Sequence, residues 1–453
     1  MKIVIVGDGK VGLTLVELLS AEDHNITVVD SNAKVLESMQ EEFDVMAVHG
    51  HGATRSVLLE AEADTADLLI AATSSDEINL LSCLTAKKMG CKNTIARVRS
   101  PEYAEDINFL KQDLGLSFTI NPEAACAREI YRLLQYPSFL GRERFAQGRV
   151  EIVRVKVEEG CMLDGIPLSK LYATAKIHVL VCAVDRNGEV TIPGGSFVIE
   201  KGDDLFITAN TEDLATMIKN LGLASHKVTH VTLVGGSRLA LYLAKRLIRS
   251  GVEVKIIEKD PARCLLLADI LPEADIVEAD GTDQEVLLSE GLDRTDAMVA
   301  LTGIDEENIV LSIYAKQLGV RTVITKCNRT QYSDMFRKMG LHSVVSPKFT
   351  IAEEIVRYVR AMENSAGSSQ MLTMHYIADG QAEAMEFEAD TACATVGIPL
   401  AKLPLKPGIL IACISRGFET IIPDGSTIIQ PGDLVVVVTA SQRINRLSDI
   451  LAE

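Results

Sequence analysis

The chain has 453 residues, of which 47% are hydrophobic, and a formal net charge of −18. A chain of this length predicts two to four domains, each large enough to bury its own core. The acidic balance argues against nucleic-acid binding, because no basic stripe is available to neutralise phosphates, and it is typical of a soluble cytosolic protein.

Nine cysteines stand without a C-x-x-C pair or a regular spacing. They predict reduced, buried thiols rather than a zinc site, another metal site or a disulfide framework. No secretory signal precedes the first strand, and no apolar run approaches the roughly 20 residues of a membrane helix. Any action at a membrane is therefore expected to go through a partner.

The chain opens on a short apolar strand, Ile3 to Val6, which runs directly into Gly7, Gly9 and Gly12. This G-x-G-x-x-G spacing is typical of a Rossmann βα turn. Gly7 permits the tight turn, Gly9 lets the backbone approach a pyrophosphate, and Gly12 lets the next helix lie against the strand. The N-terminus of that helix, Val11 to Leu19, would then face the phosphates.

A second apolar strand, Ile26 to Val29, ends in Asp30, about 20 residues after the loop. A carboxylate there would accept hydrogen bonds from an adenosine ribose and would repel a 2′-phosphate. The pattern therefore favours NAD(H) or ATP/ADP over NADP(H) but does not separate NAD from ATP. The alternative is a βα turn that binds no phosphate.

Apolar strands and helices then keep alternating as far as residue 120, which predicts a parallel, doubly wound sheet with helices on both faces. Pro122 starts a longer helix, through Arg128 to Leu134, that would leave the sheet. After Gly148 the strands are separated by turn sequences, which predicts a small α+β module. The predicted strands are Val45 to Val48, Leu68 to Ala71, Thr94 to Val98, Phe118 to Ile120, Val150 to Val157, Val179 to Val184 and Leu205 to Thr208, and the predicted helices include Ile78 to Met89 and Tyr103 to Leu114.

The whole arrangement then repeats. The segment from His230 parallels the first strand and helix, with Gly235 in the place of Gly7, and Glu258 ends the next strand as Asp30 does. The fold class is therefore α/β, with two tandem Rossmann-like sheets, each followed by a small α+β domain. The predicted domains are residues 1–140, 149–225, 228–362 and 371–453, with a linker over Glu363 to Gln370.

These tandem units, with a G-I-P-L turn and a P-x-G-S…G-D-x-L ending in each small module, resemble the TrkA family of Trk potassium-uptake regulators, whose units are called RCK or KTN domains. The resemblance covers the full chain, and its most specific part is the two-fold arrangement. It implies a homo-oligomer, a dimer or a tetrameric ring, that binds NAD(H) and ATP/ADP without acting on them chemically. It also implies a TrkH-like integral membrane subunit that translocates potassium, and a position on the cytoplasmic face of the inner membrane.

In the first unit, three cations are candidates for the phosphates: Lys10 in the loop, and Arg97 and Arg99 on one face at the end of a strand. We expect them to accommodate ATP as well as NAD(H). The alternative is that one arginine pairs with an acidic residue across a domain or subunit contact.

Thr73 and Ser74 follow a strand at the carboxyl edge of the sheet, where ligands of doubly wound folds bind. Thr73 could donate to a phosphate or ribose oxygen. The alternative for Ser74, or for Ser75, is to cap the next helix. By analogy with the family His51 would lie near the adenine, and the alternative is an exposed turn histidine.

The second unit departs from the pattern, because Ser237 replaces the middle glycine and Ala240 the third. A side chain at the middle position crowds the pyrophosphate. Arg238 and Glu258 retain the cation and the ribose carboxylate, while Asn328 stands where Arg99 does. We therefore predict a second, weaker site that prefers a diphosphate, and the alternative is a vestigial site kept for packing.

The candidate nucleotide-binding residues thus lie in two matching sets, and no catalytic or metal-binding residue is assigned. The first set is Gly7, Asp8, Gly9, Lys10, Val11, Asp30, His51, Thr73, Ser74, Arg97 and Arg99, and the second is Gly235, Gly236, Ser237, Arg238, Leu239, Glu258, Asp280, Thr302 and Lys326.

Two other functions stay open. Tyr172 and Lys176 have the Y-x-x-x-K spacing of short-chain dehydrogenases, which would make the chain an NAD-dependent dehydrogenase with duplicated cofactor domains. The same fold could also serve another channel or an antiporter. The apolar strands of the small modules, such as Leu434 to Val438, could pair subunits or simply form a core.

Overall fold

The computed structural model describes residues 1–7, 9–22, 24–100, 103, 107, 109–111, 113–135, 139, 141–157, 161–221, 227–329, 336, 339–341, 343–364, 371–417, 419–440 and 444–452. Within these residues the helices and strands form four sheets. No described helix has the length and apolar character needed to cross a membrane.

The first domain is a six-stranded parallel sheet in the order β3-β2-β1-β4-β5-β6 with helices on both faces. The central strands are buried on both sides, which explains their continuous apolar sequences. The elements are β1 Lys2–Val6, α1 Lys10–Ser20, β2 Asn25–Asp30, α2 Ala33–Glu42, β3 Met46–His49, α3 Arg55–Glu60, β4 Leu68–Ala71, α4 Asp76–Met89, β5 Asn93–Arg97 and β6 Phe118–Ile120, followed by α5 Pro122–Gln135.

The first small module is a five-stranded antiparallel sheet in the order β10-β9-β11-β8-β7. It consists of β7 Gly141–Phe145, β8 Val150–Lys156, α6 Leu171–Ala175, β9 Leu180–Arg186, β10 Glu189–Thr191, β11 Asp204–Asn210 and α7 Leu214–Asn220.

The second α/β domain repeats the first, with the parallel order β14-β13-β12-β15-β16-β17. Its elements are β12 His230–Val234, α8 Arg238–Arg249, β13 Glu253–Glu258, α9 Pro261–Ile270, β14 Asp275–Glu278, α10 Gln284–Ser289, β15 Ala297–Ala300, α11 Asp305–Gln317, β16 Thr322–Lys326 and β17 Ser343–Val345, followed by α12 Pro347–Asn364.

The second small module is again antiparallel, in the order β18-β19-β22-β20-β21. Its strands are β18 Met371–Ile377, β19 Ala382–Glu388, β20 Ile409–Arg416, β21 Glu419–Ile421 and β22 Leu434–Thr439. The predicted fold class, two tandem Rossmann-like domains each followed by a small module, is confirmed.

The helix that leaves each α/β domain packs on the other α/β domain. α5 buries Ile130 and Leu134 in the core of the second domain, and α12 buries Ile355 and Val359 in the core of the first. In each pair the residues are four apart and share one helical face. The predicted exit of α5 from its own sheet is confirmed, and the two halves of the chain are joined by this exchange.

The small modules also pack on each other. Phe145 and Phe206 of the first share a core with Ile377 and Val436 of the second. The opposite face of β22 packs in the core that contains α12. The apolar strand predicted at Leu434 to Val438 is therefore core between modules of one chain, which is the second of the two alternatives.

Two sequence predictions meet the limits of the described residues. The helix predicted over Tyr103 to Leu114 lies partly outside them, at residues 104–106, 108 and 112. The linker predicted over Glu363 to Gln370 begins later, because α12 continues to Asn364, and residues 365–370 lie outside the description.

Candidate functional site

The three glycines of the first loop differ in whether the fold requires a residue without a side chain. Gly7 has a φ of +92°, and a Cβ there would meet the backbone nitrogen of Thr73 at 2.8 Å; a Cβ on Gly12 would meet the oxygen of Gly7 at 2.1 Å. Gly9 has a φ of −56°, which any residue adopts, and nothing lies within 4 Å of a Cβ built on it. The loop therefore leaves open space at the N-terminus of α1, where a phosphate is favoured.

Three predicted loop residues are less informative. Asp8 lies outside the described residues. Of Lys10 the structure describes only that it begins α1. The Val11 side chain is buried in the core of the first domain, so that only its backbone can face a ligand.

Asp30 lies half-buried at the carboxyl end of β2, beside the loop. Its Oδ1 accepts a hydrogen bond from the Asn32 N–H at 2.8 Å. His51 is exposed in the turn after β3, and its Nδ1 lies 3.3 Å from the Ala53 nitrogen. Both predicted residues thus lie at the carboxyl edge of the first sheet, and the histidine contacts its own turn.

Thr73 is held by a buried asparagine that sequence reasoning did not assign to the site. The Oδ1 of Asn79 accepts from the Thr73 N–H at 2.8 Å and from its hydroxyl at 2.7 Å, and the Asn79 amide donates to the Arg97 carbonyl at 2.9 Å. The cap of α4 is Ser75, whose hydroxyl accepts from the Ile78 N–H. Ser74 is exposed and does not take that role.

The two arginines at the end of β5 differ. Arg99 makes an ion pair with Glu123 at 2.6 Å, and Glu123 lies in the first turn of α5, so Arg99 is paired with an acidic residue within the first domain rather than across a domain or subunit contact. Arg97 donates to the Thr73 carbonyl at 3.3 Å, while its buried Nε has no hydrogen-bond partner among the described residues. Burial, followed by the charge of Arg99, lowers the pKa of Arg97. An anion at this edge would relieve both costs.

The second domain reaches this edge through α8. The Tyr242 hydroxyl donates to the Arg99 carbonyl at 3.3 Å and accepts from the Asn121 amide at 3.1 Å. Arg238 lies one turn earlier on the same helical face, it is exposed, and its positive charge contributes to the lowered pKa of Arg97. A residue predicted for the second loop therefore lies within electrostatic reach of the first.

The second glycine loop has the same tight turn as the first but less open space at the start of its helix. Gly235 has a φ of +99°, and a Cβ there would meet the Thr302 nitrogen at 3.0 Å. Ser237 has a φ of −65°, close to that of Gly9, and its hydroxyl accepts from the Ala240 N–H to cap α8. The serine fits the backbone, but its side chain stands where the first loop is open.

Glu258 closes onto this loop. Its Oε2 accepts from the Gly236 N–H at 2.5 Å, and its Oε1 accepts from the Asp260 N–H at 2.9 Å. Gly236 is buried, and a Cβ there would lie 3.0 Å from the Glu258 carboxylate. The carboxylate that the sequence analysis proposed for the ribose and the second loop are thus adjacent.

Arg263 is a second-site cation that sequence reasoning missed. Its Nε donates to the Gly236 carbonyl at 2.6 Å, and its buried Nη2 has no partner among the described residues. It stands in the first turn of α9, one position after the place that matches Lys34 of the first unit. A basic residue shortly after the acidic end of the second strand, in both repeats, was the available signal.

The remaining second-site residues match the first site. The Thr302 N–H donates to Asn308 at 2.8 Å, and Lys326 Nζ donates to the Thr302 carbonyl at 2.7 Å, as Asn79 and Arg97 do in the first unit. Asp280 accepts from the Thr282 N–H and hydroxyl, which lowers its pKa. The Leu239 side chain is buried in the core.

The tyrosine and lysine that raised the dehydrogenase alternative do not have the expected arrangement. The helix that contains Tyr172 ends at Ala175, and Lys176 has a left-handed backbone with a φ of +55°. The two side chains therefore do not share a helical face.

Eight of the nine cysteines are buried, and burial raises the pKa of the Cys182 thiol to about 12. Among the described residues no group of three His, Cys, Asp or Glu side chains could hold a metal.

Fold and sites together define a class: a protein with two Rossmann-type domains, each with a glycine loop at a helix N-terminus and each followed by a small antiparallel domain. The TrkA-N domain model matches residues 3–122 and 231–347, and the TrkA-C domain model matches residues 152–222 and 384–452. The chain belongs to the TrkA family.

Curated relatives span the same length. A Trk system potassium uptake protein TrkA homolog of Archaeoglobus fulgidus is 33% identical over 451 residues, covering 99% of this chain and 100% of the relative. The Trk system potassium uptake protein TrkA of Vibrio alginolyticus is 33% identical over 459 residues, covering 100% and 98%.

Solved structures show the same fold. The GsuK RCK domain aligns with a TM-score of 0.64 at 19% identity, covering 97% of this chain and 92% of that one. The GsuK channel bound to NAD aligns with a TM-score of 0.63 at 20% identity, covering 97% and 77%.

Proposed function

We propose that this chain is the nucleotide-sensing regulatory subunit of a Trk-type potassium uptake system. It binds NAD(H) and ATP or ADP at the two glycine loops, performs no chemistry on them, and controls a TrkH-like membrane subunit from the cytoplasmic face of the inner membrane. The names of its relatives and the open space at the first loop support this function.

One observation carries the proposal: the carboxyl edge of the first sheet contacts the helix that begins at the second loop. Tyr242 of α8 is bonded to the Arg99 carbonyl and to Asn121, and Arg238 begins that helix. A ligand at either loop therefore bears on the contact between the two domains. Two ligands that differ in affinity for two domain angles would shift the angle.

The same contact explains how ATP could be distinguished from ADP. The first loop holds the inner phosphates, and Arg97 and Arg238 supply positive charge from two different domains at the outer edge. A third phosphate would draw these two cations together, whereas a diphosphate would leave them repelling each other. In a homo-oligomeric ring, each such change would be passed to the neighbouring copy and to the membrane subunit.

A calorimetric titration with NADH, NAD, ATP and ADP tests the site. Asp30→Ala is expected to weaken all four nucleotides at the tighter site, because all present an adenosine ribose. Arg238→Gln is expected to weaken ATP at least fivefold and ADP less than twofold. Arg249→Gln, an exposed arginine near the other end of α8, is the matched control and should change neither.

Equal losses of ATP and ADP in Arg238→Gln would remove the trans-acting role of this arginine. No effect of Asp30→Ala on any nucleotide would remove the site. Oxidation of NADH by the pure protein with a carbonyl substrate, followed at its absorbance band, would favour the dehydrogenase instead. Co-purification with a channel or antiporter of another type would keep the sensor and change its partner.

A further inference from the structure

An open cavity of about 670 Å³ lies between the exchanged helices α5 and α12 and the two small modules, away from both glycine loops. Its wall comes from both halves of the chain. This volume falls within the range of pockets that hold small organic ligands, roughly 300 to 1,000 Å³. The cavity is therefore large enough for a ligand that touches both halves at once.

One part of the wall is apolar. Leu133 of α5, Ile152 of β8 and Phe206 of β11 line it, together with Phe349 of α12. Ile152 and Phe206 also belong to the core between the small modules, which fixes their positions. A flat or aliphatic body would find a rigid apolar surface here.

The part of the wall formed by α5 and α12 carries arginines and an equal number of glutamates. Arg128 lies 3.7 Å from Glu354, and Arg132 lies 3.3 Å from Glu129, so these two have carboxylate partners. Arg357 has none within 4 Å in the described part of the chain. Its Nη1 lies 3.4 Å from Nδ1 of His375, and that nitrogen is itself 2.6 Å from Glu143.

Two more observations indicate unused capacity for an anion. The buried hydroxyl of Ser346, which lines the cavity, has no hydrogen-bond partner among the described residues. Burial and then the positive charge of Arg128 lower the pKa of Arg246 on the neighbouring α8, so positive charge is concentrated where α5 meets α8. The other lining arginines, Arg154 and Arg329, are paired with Asp204 and Glu306.

We propose that this cavity binds a small amphiphilic anion, with its aromatic or aliphatic body against Phe206 and its phosphate, sulfonate or carboxylate group against Arg357. The ligand bridges α5 and α12, so it tightens the contact between the two halves of the chain. This site is separate from the nucleotide loops and does not depend on what they bind.

The probe is 8-anilinonaphthalene-1-sulfonate, an amphiphilic anion whose fluorescence rises in apolar surroundings. We expect saturable binding to the folded full-length protein that persists in excess ATP and NAD. Arg357→Gln should weaken it at least fivefold by removing the anion partner, and Thr350→Phe should weaken it by filling the cavity from α12. Arg249→Gln, outside the cavity, should leave it unchanged. Thermal unfolding and circular dichroism verify that each variant is folded.

Displacement of the probe by ATP or NAD would locate it in the glycine loops and overturn the proposal. So would unsaturable binding, or equal affinities of wild type and Thr350→Phe, since either indicates an adventitious surface. If Arg357→Gln fails to fold, Thr350→Phe alone decides, because it changes the volume and leaves every charge in place.

Discussion

At the scale of single residues, the fold requires one glycine of the first loop and does not require another. Gly12 is needed by the fold, because a Cβ would lie 2.1 Å from the oxygen of Gly7. Gly9 is not needed by the fold, since Ser237 adopts nearly the same backbone angles in the second loop. Packing therefore does not account for the open space beside Gly9, whereas the proposed nucleotide site would.

This difference predicts opposite results for two small substitutions. Gly9→Ala should keep the thermal unfolding midpoint within about 2 °C of wild type, because the backbone angles suit alanine and no atom is displaced. It should still weaken NADH at least tenfold at the first site, because the methyl group occupies the phosphate space. Gly12→Ala should lower both the midpoint and the affinity. Unchanged NADH affinity in Gly9→Ala, measured by calorimetry, would argue that the first loop binds no phosphate.

Glu129 on α5 gives a pH dependence that can be isolated. Burial and the charge of Glu143 raise its pKa from 4.5 to about 7. The folded protein therefore holds this proton over a range in which the unfolded chain has lost it, and it loses stability as the pH rises from about 4.5 to about 7. The stabilisation of the folded protein by the proton on Glu129 is complete at low pH and absent above the folded pKa.

The variant Glu129→Gln cannot titrate at this position. Its unfolding midpoint relative to wild type should therefore rise between pH 5 and pH 8, as measured by thermal unfolding in matched buffers. Glu17→Gln, which removes a carboxylate on the rim of the same cavity, is the matched control. A difference from wild type that is equal at both pH values would contradict the assignment.

At the scale of elements, the two exchanged helices differ near their C-terminal ends, where α12 carries a buried arginine and α5 carries an exposed glutamine. Arg360 of α12 is 4% exposed and donates to Glu22 of the first domain and to Glu383 of the second small module. The equivalent residue of α5 is Gln135, whose amide donates to Tyr131. The two crossing points of the exchange are thus chemically different.

Removing the arginine should cost far more than removing its neutral counterpart. Arg360→Ala leaves Glu22 and Glu383 without their shared cation, a change worth about 3–5 kcal/mol when the pair is buried. Gln135→Ala, the matched control, removes one exposed hydrogen bond and should cost about 1 kcal/mol or less. Urea unfolding followed by circular dichroism compares them, and similar transition midpoints for the two variants would show that the buried cluster does not stabilise the crossing.

The elements themselves were predictable, whereas their partners were not. Buried strands such as β4 are continuous apolar runs, and Gly7, Asp30 and Glu258 stand at fixed positions relative to the strands. The local sequence pattern was therefore enough to predict these elements. The apolar stripe of α5 indicates that one face is buried but not against which sheet. The contact of Tyr242 with the Arg99 carbonyl depends on that packing, so no local signal could reveal it.

At the scale of the whole molecule, the exchange of α5 and α12 makes each half of the chain incomplete. Without α12 the first domain exposes Leu15 and Leu19 of α1, which are fully buried in the complete chain. Without the second domain, α5 exposes Ile130 and Leu134. Both defects are repaired if α5 of another copy covers α1, because α5 and α12 occupy equivalent places in the repeat.

The isolated first half, residues 1–225, is therefore expected to dimerise through its own α5 rather than to remain monomeric. Light scattering after size exclusion should give twice the mass of the fragment. Adding residues 228–453 during refolding should convert the fragment dimer to a one-to-one complex of the two halves. In the complete chain Ile355 and Val359 of α12 pack on α1, so α12 should displace the α5 that takes its place in the fragment dimer. Ile130→Asp, which places a charge on the buried face of α5, should abolish the fragment dimer, while Arg132→Gln on the cavity side should not. A folded, monomeric fragment with a cooperative thermal transition would show that the first domain closes its own core and that the exchange is not required for folding.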